Sequence, residues 1–105
     1  MDTFIALNKK NRVIQNIICN IELFESFEYV FLFGSIIDEN RTSNDIDLLL
    51  IYKDFSNRLL NDLDKIRTTF NQLYGFSFDC TVISEHEEVE TSFIIRLNSN
   101  YLRLK

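Results

Sequence analysis

The run YVFLFGSIIDENRTSNDIDLLLIY, residues 29–52, decides the fold. Tyr29 to Phe33 is short, aromatic and β-branched, and it stops at Gly34, so it reads as a buried strand. Residues 34–44 are polar and loop-like. Asp45 to Tyr52 reads as a second strand, whose apolar heart Leu48-Leu49-Leu50-Ile51 suits a strand covered on both faces. Side chains alternate along a strand, so Asp45 and Asp47 point the same way. Their Cα atoms would lie roughly 6.5 to 7 Å apart. Two carboxylates held side by side repel each other unless a cation sits between them. Hard oxygen ligands of this kind suit Mg²⁺ or Mn²⁺.

Outward from this run, Asn8 to Phe27 reads as a helix, with Val13, Ile14, Ile17, Ile18, Ile21 and Phe24 recurring at three- and four-residue steps. Ser56 is placed to cap a second helix that runs to about Leu73. Its apolar stripe is Leu59, Leu60, Leu63, Ile66, Phe70 and Leu73, and Gly75 stands where a C-terminal glycine belongs. Phe76 to Ser84 is a third strand, with Phe78, Cys80 and Val82 on one side and Asp79, Thr81 and Ile83 on the other. A short helix over Glu87 to Leu97, a turn at Asn98-Ser99-Asn100 and a last strand from Tyr101 to Leu104 complete the chain. This order predicts an α/β protein, a small mixed β-sheet with helices packed against it, in one domain spanning 1–105.

Composition narrows the function. Ten Phe and four Tyr, no Pro and two Gly exclude a disordered or linker-like chain. A net charge of -5 argues against a protein that coats phosphate backbones, so no nonspecific nucleic-acid binding is expected. It is compatible with one nucleotide, for which a bound metal ion supplies positive charge. No apolar run approaches the roughly 18 to 20 residues of a membrane span, and no signal peptide is visible. Cys19 and Cys80 lack metal-binding spacing and read as reduced thiols of a cytoplasmic protein. The Glu85-His86-Glu87-Glu88 run reads as a solvated helix start.

The candidate site gathers around residues 33–47. Glycine at position 34 allows a sharp turn and the close approach of a phosphate, whose oxygens the Ser35 hydroxyl and nearby N–H groups would hold. Arg41 is the one basic residue of the loop and the candidate to meet a phosphate. Asp79 is a charged residue in mid-strand, which makes sense if it faces the same site as the aspartate pair. In-line transfer of a nucleotidyl group uses such a set, with two metal ions and a carboxylate that binds metal or accepts the attacking hydroxyl's proton.

The segments FLFGS (31–35), NDIDLLLIY (44–52) and FDCTVIS (78–84) resemble the minimal nucleotidyltransferases of the DNA-polymerase-β-like superfamily. That pattern is Gly-Ser, a spacer, Asp-x-Asp and a third acidic residue on a later strand. The resemblance implies that Asp45, Asp47 and Asp79 are the catalytic metal ligands, and that Gly34 and Ser35 bind the triphosphate. It implies Mg²⁺-dependent transfer of a nucleoside monophosphate, AMP from ATP, to a hydroxyl, with Mn²⁺ able to substitute. It further implies a small helical HEPN-type partner, a tyrosine of which accepts AMP, and an antitoxin role. The chain departs from the pattern in a nine-residue spacer, 36 to 44, where ten is common, and in Ile36-Ile37-Asp38 after Gly-Ser, where many members carry a basic residue and a glycine. Two alternatives follow: a non-catalytic antitoxin that neutralises its partner by contact, which the altered loop favours and the intact Asp45, Asp47 and Asp79 set opposes, and, ranked last, a small-molecule transferase of the aminoglycoside type.

Overall fold

The computed structural model describes residues 12–34, 46–74, 78–97 and 101–105, with the side chains of residues 73 and 74 excepted. Helix α1 (residues 12–19) leads into a 3-10 turn at Ile21–Phe24. Strand β1 (Tyr29–Phe33), strand β2 (Ile46–Tyr52), helix α2 (Asn57–Tyr74) and strand β3 (Phe78–Ser84) follow. Helices α3 (Glu85–Thr91) and α4 (Phe93–Arg96) then precede strand β4 (Tyr101–Arg103). The four strands form one mixed sheet in the order β3-β2-β1-β4. β1 is antiparallel to β2 and to β4, and β2 is parallel to β3. The parallel pair requires a crossover, which α2 supplies.

β2 is therefore an interior strand, and Leu48, Leu49, Leu50 and Ile51 are at most 1% exposed. Alternation splits the apolar run between two cores. Leu48 and Leu50 join Val30, Leu32 and Phe78 beneath α1 and α2, where Val13, Ile17, Leu59, Ile66 and Phe70 close over them. Phe70 stacks on Phe78 with ring centroids 5.0 Å apart. Leu49 and Ile51 join Phe31 on the other face, under Phe93 and Ile94 of α4. Residues on this second face, including Asp47 by its odd number, form the surface on which the candidate site lies.

The elements differ from the sequence expectation in four places. The first helix ends at residue 19 and continues as the 3-10 turn, so it does not run unbroken to Phe27; its start lies outside the described residues. α2 begins where expected, with Ser56 Oγ accepting the Leu59 N–H at 3.2 Å. Its buried stripe, however, uses Asp62 (8% exposed) and leaves Leu60 47% exposed. Ser26 Oγ donates to Asp62 Oδ2 at 2.5 Å, so this buried carboxylate is hydrogen-bonded across 36 residues of sequence. The helix expected over Glu87 to Leu97 starts earlier and is broken. Ser84 and Glu87 form a reciprocal capping box at its start, and Ser92, left-handed at φ 51, separates α3 from α4. The last strand ends at Arg103, one residue short of Leu104. Gly75 and the turn at 98–100 lie outside the described residues.

Candidate active site

Three of the six candidate residues fall in the described structure: Gly34, Asp47 and Asp79. Ser35, Arg41 and Asp45 lie outside the described residues.

Asp47 and Asp79 are brought together by strand register. Residue 47 of β2 pairs with residue 79 of β3, and the same register aligns Leu49 with Thr81 and Ile51 with Ile83. Neighbouring strands lie about 4.8 Å apart, and in-register residues of parallel strands project to the same face. The two carboxylates therefore rise side by side from rigid backbone, 32 positions apart in sequence. Asp79 is exposed and Asp47 is half-buried, so the pair opens to solvent on the β3 side. Asp79 is the second residue of β3 and sits near the strand entry, rather than in mid-strand.

The same row continues across the sheet. Phe33 of β1 pairs with Asp47, and Tyr101 of β4 pairs with Phe33. One line of side chains thus runs Asp79, Asp47, Phe33, Tyr101, anionic at one end and aromatic at the other. Phe93 of α4 meets Phe33 edge to face with centroids 5.8 Å apart. The left-handed Ser92 lies immediately before Phe93, so the break between α3 and α4 starts the turn that carries this ring to the row. Sequence alone assigns neither Phe33 nor Phe93 a place beside Asp47. Alternation places Phe33 on the face of Phe31, but only the cross-strand register sets it beside Asp47.

Gly34 has a more specific role than the one expected. It leaves β1 at φ 85, a conformation L-residues rarely adopt. A Cβ built there would overlap Asp47 Oδ2 and stand 3.2 Å from Asp47 Cγ. The glycine therefore lets the backbone pass directly against the Asp47 carboxylate. Any phosphate-holding role for the turn is additional to this packing requirement.

Carboxylate oxygens are hard donors that suit Mg²⁺ or Mn²⁺, so the Asp47 and Asp79 pair fits the cation expected from the sequence. Among the described residues no group of three His, Cys, Asp or Glu side chains gathers, so a three-carboxylate set requires a further ligand, for which Asp45 was the candidate. Elsewhere, the acidic run expected to be solvated is so only in part: His86 and Glu87 are exposed, and Glu85 and Glu88 are half-buried. His86 pairs with Glu90 at 3.0 Å, with side chains 82% and 63% exposed. Both thiols are free; burial pushes the Cys80 thiol up to about 11, partly offset by the Arg67 guanidinium beside it. Among the described residues no helix is long and apolar enough to cross a membrane.

No protein-family model matches the sequence, and no curated protein matches it. A solved structure is similar: that of a presumed nucleotidyltransferase from Sulfolobus solfataricus, with a TM-score of 0.57 at 19% identity. The match covers 93% of this chain and 84% of the other. Strand order, the parallel β2–β3 pair and the helices on both faces thus combine into a nucleotidyltransferase-like fold, with two of its three expected carboxylates side by side at one end of the sheet.

Proposed function

We propose that the chain transfers a nucleoside monophosphate, AMP from ATP, to a hydroxyl acceptor. The observation that carries this reading is the register that pairs Asp47 with Asp79, with Gly34 pressed against Asp47. Bound Mg²⁺ or Mn²⁺ would offset the charge of the triphosphate. Asp47 and Asp79 would hold that cation, joined by Asp45 if its alternation with Asp47 continues. The rigid strands fix the spacing of the two described carboxylates before substrate arrives, which removes a reorganisation cost at the moment of reaction. The acceptor oxygen attacks the α-phosphorus, pyrophosphate leaves, and the hydroxyl proton passes to a carboxylate, for which exposed Asp79 is the accessible candidate. Ser35 and Arg41 are proposed to meet the phosphates.

The acceptor proposed is a tyrosine of a HEPN-type helical protein, modification of which is the antitoxin activity. This rests on the resemblance of the three sequence segments. The nucleotidyltransferase-like fold supports transfer in general.

The test is incubation of the chain with α-labelled ATP, Mg²⁺ or Mn²⁺ and the protein encoded beside it, read by intact mass. Gain of AMP mass on the partner, lost in Asp47→Asn and Asp79→Asn, is the expected result. Neutralisation of the partner without modification, unaffected by either substitution, would replace transfer with neutralisation by contact. Transfer to a free small molecule with no partner required would favour the aminoglycoside-type activity.

A further inference from the structure

The face that carries Asp47 holds a concavity at its other end. It is about 350 Å³ in volume and lies between the sheet and α3–α4. Ile51 lines it, four residues along β2 from Asp47, or roughly 13 Å at strand spacing. Tyr29, Phe31 and Ile51 of the sheet and Ile94 of α4 line it with apolar surface, and Glu85, Glu88 and Arg103 add charge. Two carboxylates against one guanidinium leave its mouth net negative.

The groove already shows which chemistry it accepts. The Arg103 guanidinium carbon lies 5.0 Å from the centroid of the Tyr29 ring, a cation held over an aromatic face. Arg103 itself is tied down, its Nε donating to the Lys105 carbonyl at 3.2 Å. Glu88 is held in place because its Oε2 accepts the Ile94 N–H at 3.3 Å. Glu85 is half-buried and has no hydrogen-bond or ion-pair partner among the described residues. An aromatic lining with an uncommitted carboxylate beside it selects a cation on an apolar stem.

The surroundings indicate what carries that cation. Val89, which lines the groove, is 78% exposed, and Ile95 is 75% exposed. Val89 lies among Glu85, Glu87, Glu88 and Glu90, four acids in the seven residues of α3, and Ile95 stands on the neighbouring α4. A second copy would bring the same acidic helix to the contact, on a chain of net charge -5, and an anionic lipid surface would be repelled for the same reason. A basic protein surface gains on both counts, by covering the apolar side chains and by meeting the acids.

We propose that this groove is the docking point for a cationic segment of a partner protein, one arginine or lysine side chain of which enters it while neighbouring apolar residues cover Val89. The inference does not rest on the transfer reading, because it uses none of Gly34, Asp47 or Asp79.

The experiment titrates the isotope-labelled full chain with N-acetyl-arginine-methylamide and, separately, with its uncharged isostere N-acetyl-citrulline-methylamide, read by amide chemical shifts. The expected result is saturable shifts at Tyr29, Val89 and Ile94, with the arginine probe binding about two- to fivefold tighter than citrulline. Glu85→Gln should remove that preference, while Asp47→Asn should leave it intact. Equal binding of the two probes, or no saturable shift up to tens of millimolar, would overturn the proposal. Sedimentation velocity covers the remaining occupant: a dimer at high concentration that Val89→Asp dissolves would assign the groove to a second copy and refute the cationic segment.

Discussion

Replacing Gly34 with alanine separates two contributions that the structure places at one residue. The backbone at φ 85 costs an L-residue roughly 1 to 2 kcal/mol. Reduced freedom of the unfolded chain returns about 0.4 to 1 kcal/mol, leaving a net cost near 1 kcal/mol. The new methyl group also overlaps Asp47 Oδ2 and crowds Asp47 Cγ at 3.2 Å. Oδ2 is the far end of a half-buried side chain, so turning it aside costs about 0.5 to 1.5 kcal/mol. Gly34→Ala should therefore destabilise by about 1.5 to 2.5 kcal/mol, lowering a urea midpoint by roughly 0.7 to 1.3 M for a slope near 2 kcal/mol/M. Asp47→Ala removes the carboxylate and leaves only Asp47 Cβ, at 3.4 Å, in ordinary contact. In that background Gly34→Ala should cost only about 1 kcal/mol, the conformational part. Equilibrium urea unfolding of the wild type, both single variants and the double variant measures the difference as a coupling energy of about 0.5 to 1.5 kcal/mol. Equal cost in both backgrounds would show that Asp47 does not pack on Gly34, and the reason given for the glycine would fail.

Other substitutions probe the remaining features. Asp47→Asn and Asp79→Asn should each lower transfer on the order of 10²-fold or more. Each variant should still fold, with the cooperative thermal transition of the wild type; unfolding of either variant would make the aspartates structural. Ser26→Ala removes one of the two partners of the buried Asp62 carboxylate, leaving the Arg58 guanidinium at 3.8 Å, and should cost about 1 kcal/mol in denaturant unfolding. Cys80 gives a pH dependence. Its folded thiol ionises at about 11 against 9.0 for an ordinary thiol, so between those values the unfolded chain loses the proton and the folded chain keeps it. Stability should then fall as pH rises through this window, by roughly 2 to 3 kcal/mol in all, and Cys80→Ser should flatten that limb of the curve. At pH 8 a thiol reagent should modify exposed Cys19 well before Cys80, and equal rates would contradict the burial that raises the Cys80 thiol.

Local chemistry in the sequence was enough to place the strands and the long helix. Short aromatic or apolar runs identified β1 and β2, alternation assigned the two faces of β3, and Ser56 marked the start of α2. It was also enough to put Asp79 on the face opposite Cys80, because alternation within a strand needs only the strand itself. What joins one strand to another was not legible. The register of residue 47 with residue 79 depends on how α2 packs as a crossover, which sets where β3 lands beside β2. The same holds for Phe33 beside Asp47, and for Gly34 against the Asp47 carboxylate, a contact across 13 residues that no spacing rule encodes. Amphipathic periodicity placed Leu60 in the buried stripe of α2 and overlooked Asp62. Hydrophobicity ranks the two side chains one way, and a hydrogen bond from Ser26, supplied only by the folded chain, reverses the order. The break at Ser92 had no glycine to announce it. The contacts of Phe93 with Phe33 and of the Ile94 N–H with Glu88 accompany that turn, so tertiary packing, and not local propensity, supports the left-handed residue that shapes this face of the sheet.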